Sequence, residues 1–195
     1  MGTLRRLSGT LGAAALALSG VLADASAAEG DPAAGKRQTI TCNGCHGQSS
    51  MKTVPLLGGQ DAAYFVAAMR AYQEGTRAHA TMRDVAKAFG DRELRNLAAW
   101  YAQSTGPESE DTAAEAPPKA VACTACHGTD GSQPATAGAP KLAGQRLAVL
   151  AAALRDYRDG KRDHEIMQAQ ARTLEDADID ALSAYFAARR GLHLR

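Results

Sequence analysis

Residues 41–47 read TCNGCHG and residues 122–128 read ACTACHG, and these two segments hold all four cysteines of the 195-residue chain. Nothing else in the sequence narrows the outcome as sharply. Each copy places two thiols within one helical turn and closes with a histidine. Three chemistries compete for such a pattern, and each makes a different demand on the residues around it.

An even cysteine count in an exported chain reads first as disulfides. A redox-active C-x-x-C needs a strand leading into the motif, as in thioredoxin-like folds. Neither TITCNGC nor KAVACTAC sits in a βαβ pattern. Zinc is the second alternative, since four cysteines and two histidines could build a site, but zinc gives no reason for a histidine directly after the second cysteine in both copies. The third chemistry gives one. C-x-x-C-H is the attachment sequence for covalent haem: each thiol adds across a vinyl group, and the next residue supplies the proximal nitrogen to iron. The expected cofactors are two covalently bound haem c groups. Cys42, Cys45, Cys123 and Cys126 would be the thioether anchors, and His46 and His127 the proximal ligands.

The N-terminus agrees with an exported protein. Arg5 and Arg6 precede an apolar run from Leu11 to Ala23, followed by DASAAEG with small residues for cleavage near Ala27 or Ala28. A membrane anchor is the alternative, but the run falls short of the ~20 apolar residues a span requires. No cysteine lies near the cleavage site for a lipid anchor. Residues 1–28 are therefore expected to be a secretory signal peptide and the mature chain to be periplasmic. Of 22 Lys+Arg and 21 Asp+Glu, removing residues 1–28 takes away Arg5, Arg6 and Asp24 and leaves 20 of each. That balance gives no electrostatic basis for binding nucleic acid, so redox proteins are the expected partners.

The second half of the chain repeats the first. VPLLGGQ at 54–60 matches APKLAGQ at 139–145, AMRAYQEGTRAHATM at 68–82 matches ALRDYRDGKRDHEIM at 153–167, and DRELRNLAAWYA at 91–102 matches DADIDALSAYFA at 176–187. These blocks are offset by 85 residues and the haem motifs by 81, which leaves a four-residue insertion in the Gly/Pro-rich loop after His127. An acidic, Pro-terminated stretch separates the copies. The expected organisation is an N-terminal unit at 29–104, a linker at 105–116 and a C-terminal unit at 117–195. Each unit is small for an independent core, and an attached haem would supply much of it.

The expected fold class is all-α, in keeping with the alanine-rich apolar content. Periodicity predicts a helix ending in each C-x-x-C-H, helices over about 61–74 and 146–159 stopped by Gly75 and Gly160, and a shorter helix after each methionine. Final helices should begin at Asp91 and Asp176 as N-caps, with Leu94, Leu97 and Tyr101, and Ile179, Leu182 and Phe186, as buried stripes.

The sixth iron ligand is the remaining question. Met82 and Met167 are equivalent in the two repeats, whereas Met51 and Met69 face Thr136 and Leu154, so symmetry selects Met82 and Met167 as axial ligands. His79 and His164 are also equivalent and form the rival pair; otherwise they are expected to face solvent, approach a propionate or tune pH response. His193 is expected to be exposed and unpaired. Methionine ligation raises the potential and fills the iron, which suits electron transfer and disfavours bond chemistry. Pro55 and Pro140 offer carbonyls to orient the proximal histidines.

The paired C-x-x-C-H motifs, P-x-L-x-G-Q, the G-[TK]-R ahead of each methionine and the closing L-x-x-[WY]-[YF]-A helix resemble the cytochrome c4 family across nearly the whole mature chain. The resemblance implies two class I cytochrome c domains related by a pseudo-twofold axis and His/Met ligation at both irons. It also implies a non-enzymatic electron carrier between a cytochrome bc complex and a terminal oxidase. Related dihaem modules serve as electron-accepting subunits of periplasmic enzymes such as flavocytochrome sulfide dehydrogenases, which is the alternative function. A peroxidase-like enzyme with one open iron is disfavoured, because both repeats keep the methionine. The first copy departs from the family pattern after His46, where it reads QSSMKTV without the D-G of the second, and at AHATM.

Overall fold

The computed structural model describes residues 30–105, 111–112 and 115–194. The expected signal peptide, its cleavage site and the middle of the expected linker lie outside the described residues. Among the described residues there is no strand, and no helix is long and apolar enough to cross a membrane.

The first half contains α1 (Pro32–Gln38), α2 (Ile40–His46), α3 (Ala62–Glu74), α4 (Ala80–Ala86) and α5 (Asp91–Ala102); the second contains α6 (Ala120–His127), α7 (Leu147–Arg158), α8 (Glu165–Ala171) and α9 (Asp176–Ala187). The helix α1 starts at a proline, whose missing N–H is no loss at that position, behind an Asp31 side chain that accepts from Ala33 N. Its packing on α5 depends on a glycine: a Cβ at Gly35 would sit 2.0 Å from the Asn96 carbonyl oxygen and 2.9 Å from Trp100 Cβ. The chain breaks at Thr39, and α2 then delivers the first haem motif, with His46 as its last residue. In the second half α6 delivers the equivalent motif and ends at His127.

Three sequence expectations are corrected. The short helices do not follow the methionines but contain them, two residues in, with His79 and His164 as N-caps. Asp91 and Asp176 are the first helical residues rather than caps; Gly90 and Glu175 occupy the cap positions, and Asp178 reaches back to Glu175 N at 2.9 Å. His193 is half-buried and engaged, its N–H donating to the Gly58 carbonyl across the halves at 3.2 Å.

The expected stripes form the two cores. Leu94, Leu97 and Tyr101 are buried with Cys42, Phe65 and Met69, and Met82 packs against them. Leu182 and Phe186 are buried with Ala120, Leu150 and Tyr185, with Cys123 and Leu142 alongside.

The halves meet through paired polar contacts. Arg77 and Arg162, equivalent in the repeat, face each other in an antiparallel bridge. Residues that face their own equivalents lie on the twofold axis. On either side, Gln145 Oε1 accepts from Leu56 N at 2.9 Å while its Nε2 donates to Leu56 O at 3.0 Å. Gln60 does the same to Lys141, at 2.8 and 3.1 Å. Each buried amide thus pairs both backbone groups of one residue in the opposite half, leaving neither unsatisfied.

Candidate functional site

Each half gathers its sequence-predicted residues in the same way. The two cysteines lie three residues apart, within one turn of α2 or α6, and none of the four is in a disulfide. His46 Nδ1 lies 2.8 Å from the Pro55 carbonyl oxygen, and His127 Nδ1 lies 2.8 Å from that of Pro140. A carbonyl only accepts, so in both rings Nδ1 carries the proton and Nε2 keeps its lone pair. Burial holds both imidazoles below the ordinary histidine range, against the raising effect of the proline carbonyls. A neutral ring with Nε2 free and its orientation fixed is what iron ligation requires.

The methionines are fixed from a different side. Met82 and Met167 are both half-buried on the first turn of α4 and α8. His79 Nδ1 accepts from Met82 N at 3.2 Å, and His164 Nδ1 accepts from Met167 N at 3.3 Å. Each imidazole also stands edge-on to a tyrosine, Tyr72 at 6.2 Å and Tyr157 at 6.3 Å between ring centroids. With Nδ1 accepting, Nε2 bears the hydrogen and has no lone pair to offer a metal. His79 and His164 therefore act as helix caps beneath the methionines, a role the sequence reading did not assign them.

The chemistry of this donor set fits a c-type haem in each half: free thiols on one helical turn, a pinned neutral imidazole, and a thioether, bordered by apolar residues such as Leu57, Phe65 and Leu142. The zinc alternative gains nothing, since among the described residues no group of three or more His, Cys, Asp or Glu side chains is placed to hold a metal ion. Burial pushes the Cys42 and Cys123 thiols up, away from the thiolate that zinc would need.

Between the halves lies a cluster that sequence reasoning missed. The Arg77 guanidinium stacks over Tyr72 at 4.6 Å and that of Arg162 over Tyr157 at 4.5 Å. Arg162 Nη2 crosses to donate to the Tyr64 hydroxyl at 2.8 Å. The repeated G-[TK]-R was visible in the sequence, but its position on the twofold axis was not.

Comparison with known proteins bears on the same residues. The family model described as cytochrome c oxidase, cbb3-type, subunit III, matches residues 114–186. Cytochrome c4 of Pseudomonas aeruginosa is 34% identical over 187 residues, covering 85% of this chain and 90% of that one. The crystal structure of reduced recombinant cytochrome c4 from Pseudomonas stutzeri superposes with a TM-score of 0.70 at 29% identity, covering 84% of this chain and all of that one. The thiosulfate dehydrogenase electron acceptor of Thiomonas intermedia is 42% identical over 73 residues, covering 37% of this chain and 34% of its own.

Proposed function

Because the chain belongs to the cytochrome c4 family, a family of dihaem c-type electron carriers rather than enzymes, we propose a residue-level assignment and a place of work for it. Haem one is held by Cys42 and Cys45, with His46 and Met82 on the iron. Haem two is held by Cys123 and Cys126, with His127 and Met167. The observation that carries this is the duplicated pinning of the histidines: two rings, 81 residues apart in sequence, each held at Nδ1 by a proline carbonyl at 2.8 Å.

When bound, each haem supplies a one-electron ferric/ferrous couple. The chain's own part is to position and insulate. The proline carbonyls keep the imidazole protonated on Nδ1 and hold its plane. The histidine caps stop the first turn of α4 and α8 from unwinding, which keeps the thioether in place, and the buried leucines and aromatics limit water. With His46 and Met82, and His127 and Met167, as iron ligands, the protein itself would leave substrates no ready access to the metal.

The unit boundaries follow as residues 29–104 and 117–195, joined by 105–116, after removal of a signal peptide at 1–28, which would place the mature chain in the periplasm. Redox proteins are its partners, and we assign these to a cytochrome bc complex as donor and a terminal oxidase as acceptor. The partial match to a thiosulfate dehydrogenase electron acceptor supports a second reading, in which a periplasmic dehydrogenase passes electrons directly to this chain.

Met82→Ala and Met167→Ala test the ligand assignment. Each should remove about half of the methionine-to-iron charge-transfer absorption at the red end of the visible spectrum, while both haems remain covalently attached. Retention of the full band in either variant would sink the assignment for that half.

A further inference from the structure

The two haem sites differ in one contact made by the opposite half. Asp61 and Arg146 are equivalent in the repeat and share their backbone setting: each caps the long helix of its half, and each N–H donates to the preceding glutamine Oε1, at 2.8 and 3.0 Å. Their side chains then diverge. Asp61 Oδ1 turns back and accepts from Tyr64 N in its own helix at 2.7 Å. Arg146 leaves its own half, and its Nη2 donates to the Gln48 carbonyl at 2.7 Å, two residues beyond His46. Its Nη1 is buried without a hydrogen-bond partner. On the Nη1 side the guanidinium is shut away from water, so its charge is less screened there than at the exposed Gln48 contact.

We propose that Arg146, contributed by the second half, raises the reduction potential of the haem in the first half and so sets the two haems apart. The inference rests on the haem assignment above. Reduction adds one electron to a site and lowers its charge by one, so a nearby fixed cation favours the reduced form. Arg77 and Arg162 sit together on the twofold axis, each stacked on the tyrosine of its own half, with Arg162 also donating to Tyr64. The difference between the haems is therefore built across the interface, and it exists only while the halves are docked.

The test uses Arg146→Gln and Arg146→Lys in the full dihaem protein, with potentiometric titration resolved by the NMR signals of each haem's methionine methyl group. Arg146→Gln should lower the reduction equilibrium constant of the first-half haem by about threefold to tenfold, tenfold being about 59 mV for one electron, and leave the second-half haem unchanged. Arg146→Lys should retain most of the native value. Equal shifts at both haems, no shift, or a lysine variant as altered as the glutamine one would overturn the inference. Haem content and the charge-transfer band are read on the same samples. Two haems with intact methionine signals and no shift would refute only the role of Arg146, whereas a native protein lacking two haems would refute the functional reading.

Discussion

The two halves keep the same ligand supports and differ in how they are closed. In the first, α1 crosses α5 at Gly35, where the backbone of Asn96 leaves no room for a side chain. In the second, Ala120 at the start of α6 is buried against Leu182, Tyr185 and Phe186. Earlier in the chain, Thr112 N donates to Ala188 O at 3.1 Å and Arg189 pairs with Asp111 at 3.1 Å, just past the end of α9. The turn after the haem motif also differs. Gly128 and Gly131 adopt positive φ in the second half and Asp130 Oδ1 accepts from Ser132 N and Oγ at 2.9 and 2.7 Å, whereas Gly47 in the first half is in the ordinary helical region. The proline carbonyls, the histidine caps and the reciprocal glutamines are held in common; what closes each core is free to vary.

That comparison can be broken most forcefully at Gly35. Gly35→Val should cost about 3 kcal/mol, with amide hydrogen exchange accelerating in α1 and α5 and unchanged in α6 and α9. Acceleration spread evenly over both halves would mean that they unfold as one unit. The shared interface comes next. Gln60→Ala or Gln145→Ala removes the partner of a backbone N–H and C=O of the opposite half, at a cost of about 2 kcal/mol each. The two variants should weaken denaturant resistance equally, and unequal losses would show that the symmetric bonds carry unequal load.

A smaller effect is expected at the histidine caps. His79→Ala and His164→Ala each remove one cap, worth about 1 kcal/mol. Each should soften its own methionine's charge-transfer band at elevated temperature, with Asn at the same position restoring it. If alanine leaves the band untouched, the caps serve the helix and not the ligand. The smallest effect belongs to Asp130 and to the second half alone. Its hydrogen bonds with Ser132 hold the carboxyl below the usual carboxylate range. The stabilisation is thus complete above the unfolded value of about 3.9 and fades as pH falls through the depressed one. Exchange at Ser132 N–H should accelerate in acid in the native protein and be nearly independent of pH, after correction for intrinsic rates, in Asp130→Asn.

Much of this was legible in the sequence, for local reasons. The C-x-x-C-H spacing, the equivalent prolines and the 3–4 periodicity of Leu94, Leu97 and Tyr101 all act within one turn or one loop. The proline carbonyls lie where the repeat suggested. His79 and His164 are solvent-exposed as expected, but their capping role was missed because capping is ordinarily a task of Ser, Thr, Asp and Asn. The axial arginines, the reciprocal glutamines and the reach of Arg146 to Gln48 were not legible, because each depends on how one half meets the other. The repeat showed that these residues were equivalent, and it could not show what they faced. His193 was missed for the same reason: its partner, Gly58, belongs to the opposite half.

The central claim is that each half holds one c-type haem between a pinned histidine and a capped methionine. A pyridine haemochrome assay combined with the red-end absorption spectrum of the oxidised native protein tests it most directly. The account expects two haems per chain and a charge-transfer band of the intensity of two methionine-ligated irons. One haem, or two haems without that band, would contradict it.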